Sequence, residues 1–222
     1  MTASLAGVRT IVLDADSTLC GIEGIDWLAT LRPPAVADEI ARLTREAMEG
    51  ALALEDVYGA RLEAVAPKSA EVESLAAAYL ATIAPGAADF VRAMQAAGAR
   101  VVIVSGGLRH ALLPLAKRLG IHHSDVHAVD ISFDAAGRYA DFDRASPLTR
   151  SRGKATCVRA RELARPVVAV GDGTTDLEIR TEGACDSFVA FTGFARRAEV
   201  VAAADAECAS FDELLELLRA PR

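Results

Sequence analysis

Val8-Arg9-Thr10-Ile11-Val12-Leu13-Asp14-Ala15-Asp16-Ser17-Thr18 is the stretch that decides the fold. Its apolar part, Val8 to Leu13, reads as a buried strand. Two carboxylates, Asp14 and Asp16, stand at the C-terminal end of that strand. In an open α/β sheet that end is where ligands bind. Like charges held close oppose each other's ionisation, so the pair wants a cation or a proton. Taken alone, the pattern also fits two solvated loop aspartates. The rest of the chain decides between these.

The 222 residues are 52% hydrophobic, which allows one core domain with an inserted lobe. A formal net charge of -7 argues against nucleic acid as the main partner. The sequence shows neither a long apolar span nor a signal-peptide pattern, so a cytoplasmic protein with no membrane partner is expected. Cys20, Cys157, Cys185 and Cys208 are scattered without metal-like spacing, as expected of idle thiols in a reducing compartment.

Further apolar runs follow the first. Arg100-Val104, Val167-Val170 and the weaker Ser187-Phe191 read as strands, with helical pattern over Ala87-Ala97, Leu108-Leu119 and Lys154-Leu163. Such alternation predicts an α/β fold with a Rossmann-like parallel sheet core. Residues 21–84 break it. No strand is evident there, while Val36, Ile40, Leu43 and Ala47 recur at helical spacing and Ser69 opens a helix to about Thr82. The expected organisation is therefore a core of residues 1–20 and 85–222 with a helical cap, residues 21–84, inserted after the first strand. Between Val129 and Phe142, the segment Asp134-Ala135-Ala136-Gly137 predicts a hairpin. Ser210 and Glu213 predict a capping box ahead of a final helix.

Each clear strand ends in residues that carry chemistry. The second runs into Ser105-Gly106-Gly107, the third into Gly171-Asp172-Gly173-Thr174-Thr175-Asp176. Parallel strands bring these ends to one edge. Clustered carboxylates bind a hard divalent cation such as Mg²⁺. A serine followed by two glycines offers a hydroxyl and open N–H groups to an anion, although a plain tight turn has the same sequence. Asp176 returns a second carboxylate to the helix face that follows Asp172. Lys154 opens a helix, where a cation opposes the helix dipole, so it has a use elsewhere, such as a phosphate, or is simply exposed. A carboxylate can attack phosphorus and form an aspartyl-phosphate. Mg²⁺ then quenches the repulsion, and a second carboxyl moves the proton.

Asp14-x-Asp16-Ser17-Thr18, Ser105-Gly106-Gly107, Lys154 and Gly171-Asp172-Gly173-x-x-Asp176 stand in the order of the four motifs of the haloacid dehalogenase superfamily. Over nearly its whole length the chain resembles that superfamily, and within it the phosphoserine phosphatase family. The resemblance implies Asp14 as nucleophile and Asp16 as acid and base. It implies Mg²⁺ held by the Asp14 side chain, the Asp16 carbonyl and Asp172, with Asp176 in support. It puts Ser105, Gly106, Gly107 and Lys154 around the phosphoryl group, Lys154 also acting in catalysis, and Thr175 near the substrate amine or the attacking water. In the cap, Glu23 would meet the substrate ammonium, Arg61 its carboxylate, and Met48 would lie over the site.

The sequence supports Arg61 independently. Leu54, Tyr58, Arg61 and Val65 share one helical stripe, so a guanidinium occupies an otherwise apolar face. A buried arginine needs an anion, either an intra-cap carboxylate such as Glu23 or a carboxylated ligand. Leu54 stands where the family has phenylalanine, and Phe191-Thr192-Gly193 replaces a glycine-richer segment. The implied reaction is Mg²⁺-dependent hydrolysis of O-phosphoserine, or of another small phosphorylated amine or acid, by a monomer or homodimer. The partner is a small phosphomonoester. A receiver domain shares the Mg²⁺ and phospho-aspartate chemistry, but carries its phosphoacceptor on a later strand and lacks the long insert. His122, His123 and His127 are read as loop histidines, and the arginines around Lys154 as a solvated face.

Overall fold

The computed structural model describes residues 7–48 and 51–219, Met48 by its backbone alone. β1 (Thr10–Leu13) lies at the centre of a six-stranded parallel sheet. All four of its residues are buried, as expected of a β-branched run covered on both faces. β2 (Arg100–Leu108) and β3 (Val126–Val129) extend the sheet on one side; β6 (Val167–Gly171), β7 (Ser187–Phe191) and β8 (Ala206–Cys208) extend it on the other. Taken along the chain, these six strands have the spatial order 3-2-1-4-5-6 of a Rossmann sheet, with the reversal between β1 and β6. The α/β expectation therefore stands.

Register levels the functional ends. Leu13 is aligned with Ile103 on one side and with Val170 on the other. Asp14, Ser105 and Asp172 consequently emerge along one edge, at the switch point. Two strands start or stop differently from the sequence reading. The first begins at Thr10, because Val8 and Arg9 lie outside the ladder. The second runs on through Ser105-Gly106-Gly107 to Leu108, with an irregularity after Val104 in its pairing to β3. The glycines are part of that bent strand end rather than a separate turn.

Four helices fill the stretch between β1 and the next core helix: α1 (Gly24–Ala29), α2 (Pro34–Met48), α3 (Leu54–Val65) and α4 (Ser69–Ala81). The chain leaves and re-enters the core side by side. Gly21 N–H donates to Thr82 O (3.0 Å), Ala84 N–H to Leu19 O (2.9 Å), and Cys20 bridges Ile83. α4 packs along a core helix, α6 (Arg109–Leu119), which follows β2.

The remaining core helices are α5 (Ala87–Ala96), α7 (Gly153–Arg159), α8 (Thr174–Thr181), α9 (Ala198–Ala203) and α10 (Phe211–Arg219). α7 is shorter than its sequence pattern suggested, since Glu162 adopts a left-handed φ of 45° beyond it. The hairpin forms as β4 (Ile131–Phe133) and β5 (Tyr139–Phe142), whereas Val129 belongs to β3 of the main sheet. Phe90, Phe191 and Phe211 pack α5, β7 and α10 together, with ring centroids 5.1 and 5.3 Å apart. Each such ring is fully buried and contributes ~1.5–3 kcal/mol of transfer free energy. Among the described residues no helix is long and apolar enough to cross a membrane.

Candidate active site

Asp14 continues the β1 ladder, donating its N–H to Val170 O at 3.0 Å, so the sheet itself fixes where its carboxylate begins. Asp172 follows β6, and Asp176 lies in the first turn of α8. Gly171 is required between them: a Cβ there would lie 2.2 Å from Asp176 Cγ. Lys154 enters at the start of α7, where Gly153 packs so closely on Pro147 that its Cβ would lie 1.7 Å from that carbonyl oxygen.

Lys154 Nζ sits 2.7 Å from Asp14 Oδ1 and donates to Asp176 Oδ1 at 2.7 Å. The cation misplaced on its helix is thus the counter-ion of this edge. One carboxylate oxygen each from Asp14, Asp172 and Asp176 lies within 4.8 Å of the other two. Among the described residues this is the cluster of His, Cys, Asp or Glu suited to holding a metal ion. His122 and His123 instead stack on each other, with ring centroids 4.1 Å apart, away from it. Arg197, preceding α9, donates to Asp172 Oδ2 at 2.8–3.1 Å and approaches Glu23 at 4.0 Å.

The electrostatics are those of too many negative charges in too little water. Burial, then the Asp14 charge, pushes Asp16 up to about 6. Burial, then Asp14, raises Asp176 to about 7 against the pull of Lys154. Burial, then Asp16, raises Glu23 to about 8. Asp172 is raised well above the usual carboxylate range by burial, then by Glu23 and Asp14. Burial opposes the charge on Lys154, but Asp14 and Asp176 outweigh it and leave it firmly protonated. Such a cluster favours a hard divalent cation.

Asp16 is held from two sides. Tyr79 Oη donates to its Oδ1 at 2.6 Å and Gly24 N–H to its Oδ2 at 3.2 Å. Ser17, with a left-handed φ of 52°, turns the chain and donates its hydroxyl to Glu23 Oε1 at 2.7 Å. Ser105 Oγ accepts from Gly107 N–H at 3.0 Å, which leaves its own proton for a ligand. Arg61 is 4% exposed on α3 and its Nη2 lies 3.2 Å from Asp26 Oδ1; its Nε has no partner among the described residues. The carboxylate that meets Arg61 is therefore Asp26 rather than Glu23, because α1 turns Asp26 toward α3 while Ser17 engages Glu23.

Glu23 and Arg61 line the same pocket as Asp14, Asp16, Ser105, Gly106, Gly107, Lys154 and Thr175. Leu54 lines it too, beside Tyr58, whose hydroxyl donates to Gly106 O at 2.8 Å. The Met48 side chain lies outside the described residues. Thr192 does not line this pocket; its hydroxyl donates to Cys208 O at 3.2 Å. Sequence reasoning missed Tyr79, Arg197 and Asp26. Tyr79 looks like one more apolar residue of a buried stripe, and Arg197 is 25 positions from its partner.

A Rossmann-ordered sheet with an acidic trio, a buried lysine and a serine–glycine strand end at its switch point defines a phosphoryl-handling hydrolase. The chain belongs to the haloacid dehalogenase-like hydrolase family, whose profile matches residues 11–179. Within it the chain is similar to phosphoserine phosphatases. It is 34% identical over 214 residues to the chloroplastic phosphoserine phosphatase of Arabidopsis thaliana, covering 95% of this chain and 72% of the relative. It is 33% identical over 214 residues to the phosphoserine phosphatase of Bos taurus, covering 94% and 92%. Among solved structures, a phosphoserine phosphohydrolase-like protein from Francisella tularensis superposes with a TM-score of 0.88 at 24% identity, over 94% of this chain and 99% of that one. A phospho-aspartyl intermediate analogue of phosphoserine phosphatase gives 0.78 at 24% identity, over 94% and 98%. These two likenesses concern the fold.

Proposed function

We propose that the protein is a Mg²⁺-dependent phosphomonoesterase that hydrolyses O-phosphoserine to serine and phosphate. One observation carries this reading: a carboxylate, Glu23, and a guanidinium, Arg61, line one pocket with Asp14. Those two groups complement the ammonium and carboxylate of an amino acid whose phosphoryl group lies against Asp14. The unpartnered Nε of Arg61 suits bidentate pairing with a carboxylate. Residues 21–84 act in this reading as the cap that carries the amino-acid contacts. The four buried, unpaired thiols fit a reducing compartment such as the cytoplasm.

Asp14, Asp172 and Asp176 fit a hard divalent cation by donor type, closeness and excess charge, and they would hold it together with the Asp16 carbonyl. Bound there, Mg²⁺ would neutralise the charge that otherwise repels an anionic phosphate from Asp14. Ser105, Gly106 N–H and Lys154 bind the phosphoryl oxygens. An Asp14 oxygen attacks phosphorus, the bond from phosphorus to the serine oxygen breaks, and Asp16 gives its proton to that oxygen. Asp16, now a carboxylate, takes a proton from water as the water attacks phospho-Asp14, which frees phosphate and restores both groups. Thr175 lines the same pocket, and in this reading it orients that water or meets the substrate amine.

The test is phosphate release from a panel at matched metal concentration. O-Phosphoserine should exceed phosphoethanolamine, which lacks the carboxylate, and phosphoglycolate, which lacks the ammonium, by ~10²-fold or more in kcat/KM. Equal rates across the panel, with p-nitrophenyl phosphate as good as phosphoserine, would remove the substrate assignment and leave the other small phosphorylated amines and acids.

A further inference from the structure

Tyr79 is fully buried on α4, yet its hydroxyl is spent on Asp16 Oδ1 at 2.6 Å. The other oxygen of that carboxylate takes the Gly24 N–H at 3.2 Å. The two donors come from opposite ends of the insert, one from the first residue of α1 and one from near the end of α4. Between them they fix the rotation of the Asp16 side chain.

A buried tyrosine ordinarily finds some acceptor, and that alone would mean little. Here the surroundings are cleared for this hydroxyl. A Cβ on Gly24 would lie 2.1 Å from Tyr79 Oη, and one on Gly107 would lie 3.3 Å from it. Three chain segments therefore converge on one phenol: the loop carrying Asp16, the start of α1, and the strand end carrying Ser105. A phenylalanine would fill the same volume and leave Asp16 Oδ1 with no hydrogen-bond donor among the described residues.

We propose that Tyr79 is a positioning residue for Asp16, holding its carboxyl in the orientation that serves the leaving oxygen of the substrate. This rests on the phosphomonoesterase reading above. An alkyl phosphate leaves as a strongly basic alkoxide and needs a proton delivered in the transition state; a nitrophenyl phosphate leaves as a stable phenolate and does not. Misorienting the proton donor penalises the first class selectively.

The experiment compares wild type with Tyr79→Phe and Asp16→Asn, using O-phosphoserine and p-nitrophenyl phosphate. The parameter is kcat/KM, which covers only the steps up to transfer onto Asp14. The expected result is a fall of about tenfold or more in the alkyl-to-aryl ratio of kcat/KM for Tyr79→Phe. Because both substrates see the same preparation, a partly unfolded fraction cancels from this ratio. Adding Tyr79→Phe to Asp16→Asn should cost little more on phosphoserine, since the two act as one unit. An unchanged ratio, or losses that simply multiply in the double variant, would overturn the role. If wild type released phosphate from neither ester, the phosphomonoesterase reading itself would fall, whatever Tyr79 does.

Discussion

The hydroxyl of Tyr58 donates to the carbonyl oxygen of Gly106 at 2.8 Å, so helix α3 touches the Ser105-Gly106-Gly107 strand end directly. The ring behind that hydroxyl meets Phe142 of the hairpin edge-on, at a centroid distance of 5.4 Å. One residue thus joins α3, the hairpin and the end of β2. Tyr58→Phe keeps the ring contact and removes the bond, a net loss of about 1 kcal/mol. The expected outcome in steady-state kinetics is a rise of about fivefold in KM for phosphoserine, with kcat changed far less. An unaltered KM would show that the contact does not contribute to closing the pocket.

Arg61 should dominate recognition of the amino-acid end. Arg61→Ala removes a charged pairing that is almost dry, and a loss of ~2–3 kcal/mol, about 10²-fold in kcat/KM for phosphoserine, is expected. Arg61→Lys should recover only a small part, because an ammonium cannot pair two-pronged with a carboxylate. Rates on p-nitrophenyl phosphate, which offers no carboxylate, should move much less. Parallel losses on both esters would mean that the arginine serves the cap's own packing through Asp26.

Asp14→Asn should abolish turnover, with a loss of ~10³-fold or more. The amide removes one of several mutually repelling carboxylates but also one of the two carboxylates on Lys154, which keeps Asp176, so thermal stability without metal should change little. Mass spectrometry after an acid quench should find no phosphoryl adduct on the variant. Any turnover above ~10⁻³ of wild type would reassign the nucleophile.

Stability of the metal-stripped protein should fall as pH rises. Asp16 at about 6, Asp176 at about 7 and Glu23 at about 8 all lie above the ordinary carboxylate range. Between roughly pH 4 and pH 8 the folded state then holds protons that the unfolded chain has released, which gives a negative slope of stability against pH. Melting in excess chelator should show Tm decreasing from about pH 5 to about pH 8. A divalent cation should raise Tm, and raise it more at the upper end, because binding displaces those protons. A chelator-treated protein whose Tm climbed over that range would contradict the cluster's electrostatics.

The sheet was legible because its strands are apolar, short and punctuated by carboxylates and glycines, and because buried parallel strands need little from distant sequence. Asp14, Ser105, Lys154 and Asp172 were legible for the same reason: each sits at a strand end or helix start whose position the local pattern sets. The two edge strands were not seen: β8 has one buried residue in three, and β3 is buried only at its two ends, Val126 and Val129. Asp26 was missed because its meeting with Arg61 depends on how α1 crosses α3, which is a matter of tertiary packing. Tyr79 and Arg197 were missed for a related reason. Each is defined by a partner 63 or 25 residues away, and nothing in a tyrosine on an apolar stripe announces a carboxylate opposite it.

The bridge of Cys20 with Ile83, flanked by the bonds Gly21–Thr82 and Leu19–Ala84, ties the chain leaving β1 to the chain returning after α4. The two connections of the insert are thus held side by side by main-chain bonds, whatever side chains the pocket carries. Because Gly24 and Tyr79 hold Asp16 from within this stretch, a different helical lobe grafted between Gly21 and Thr82 would have to bring its own two donors to that carboxylate or leave it free to turn.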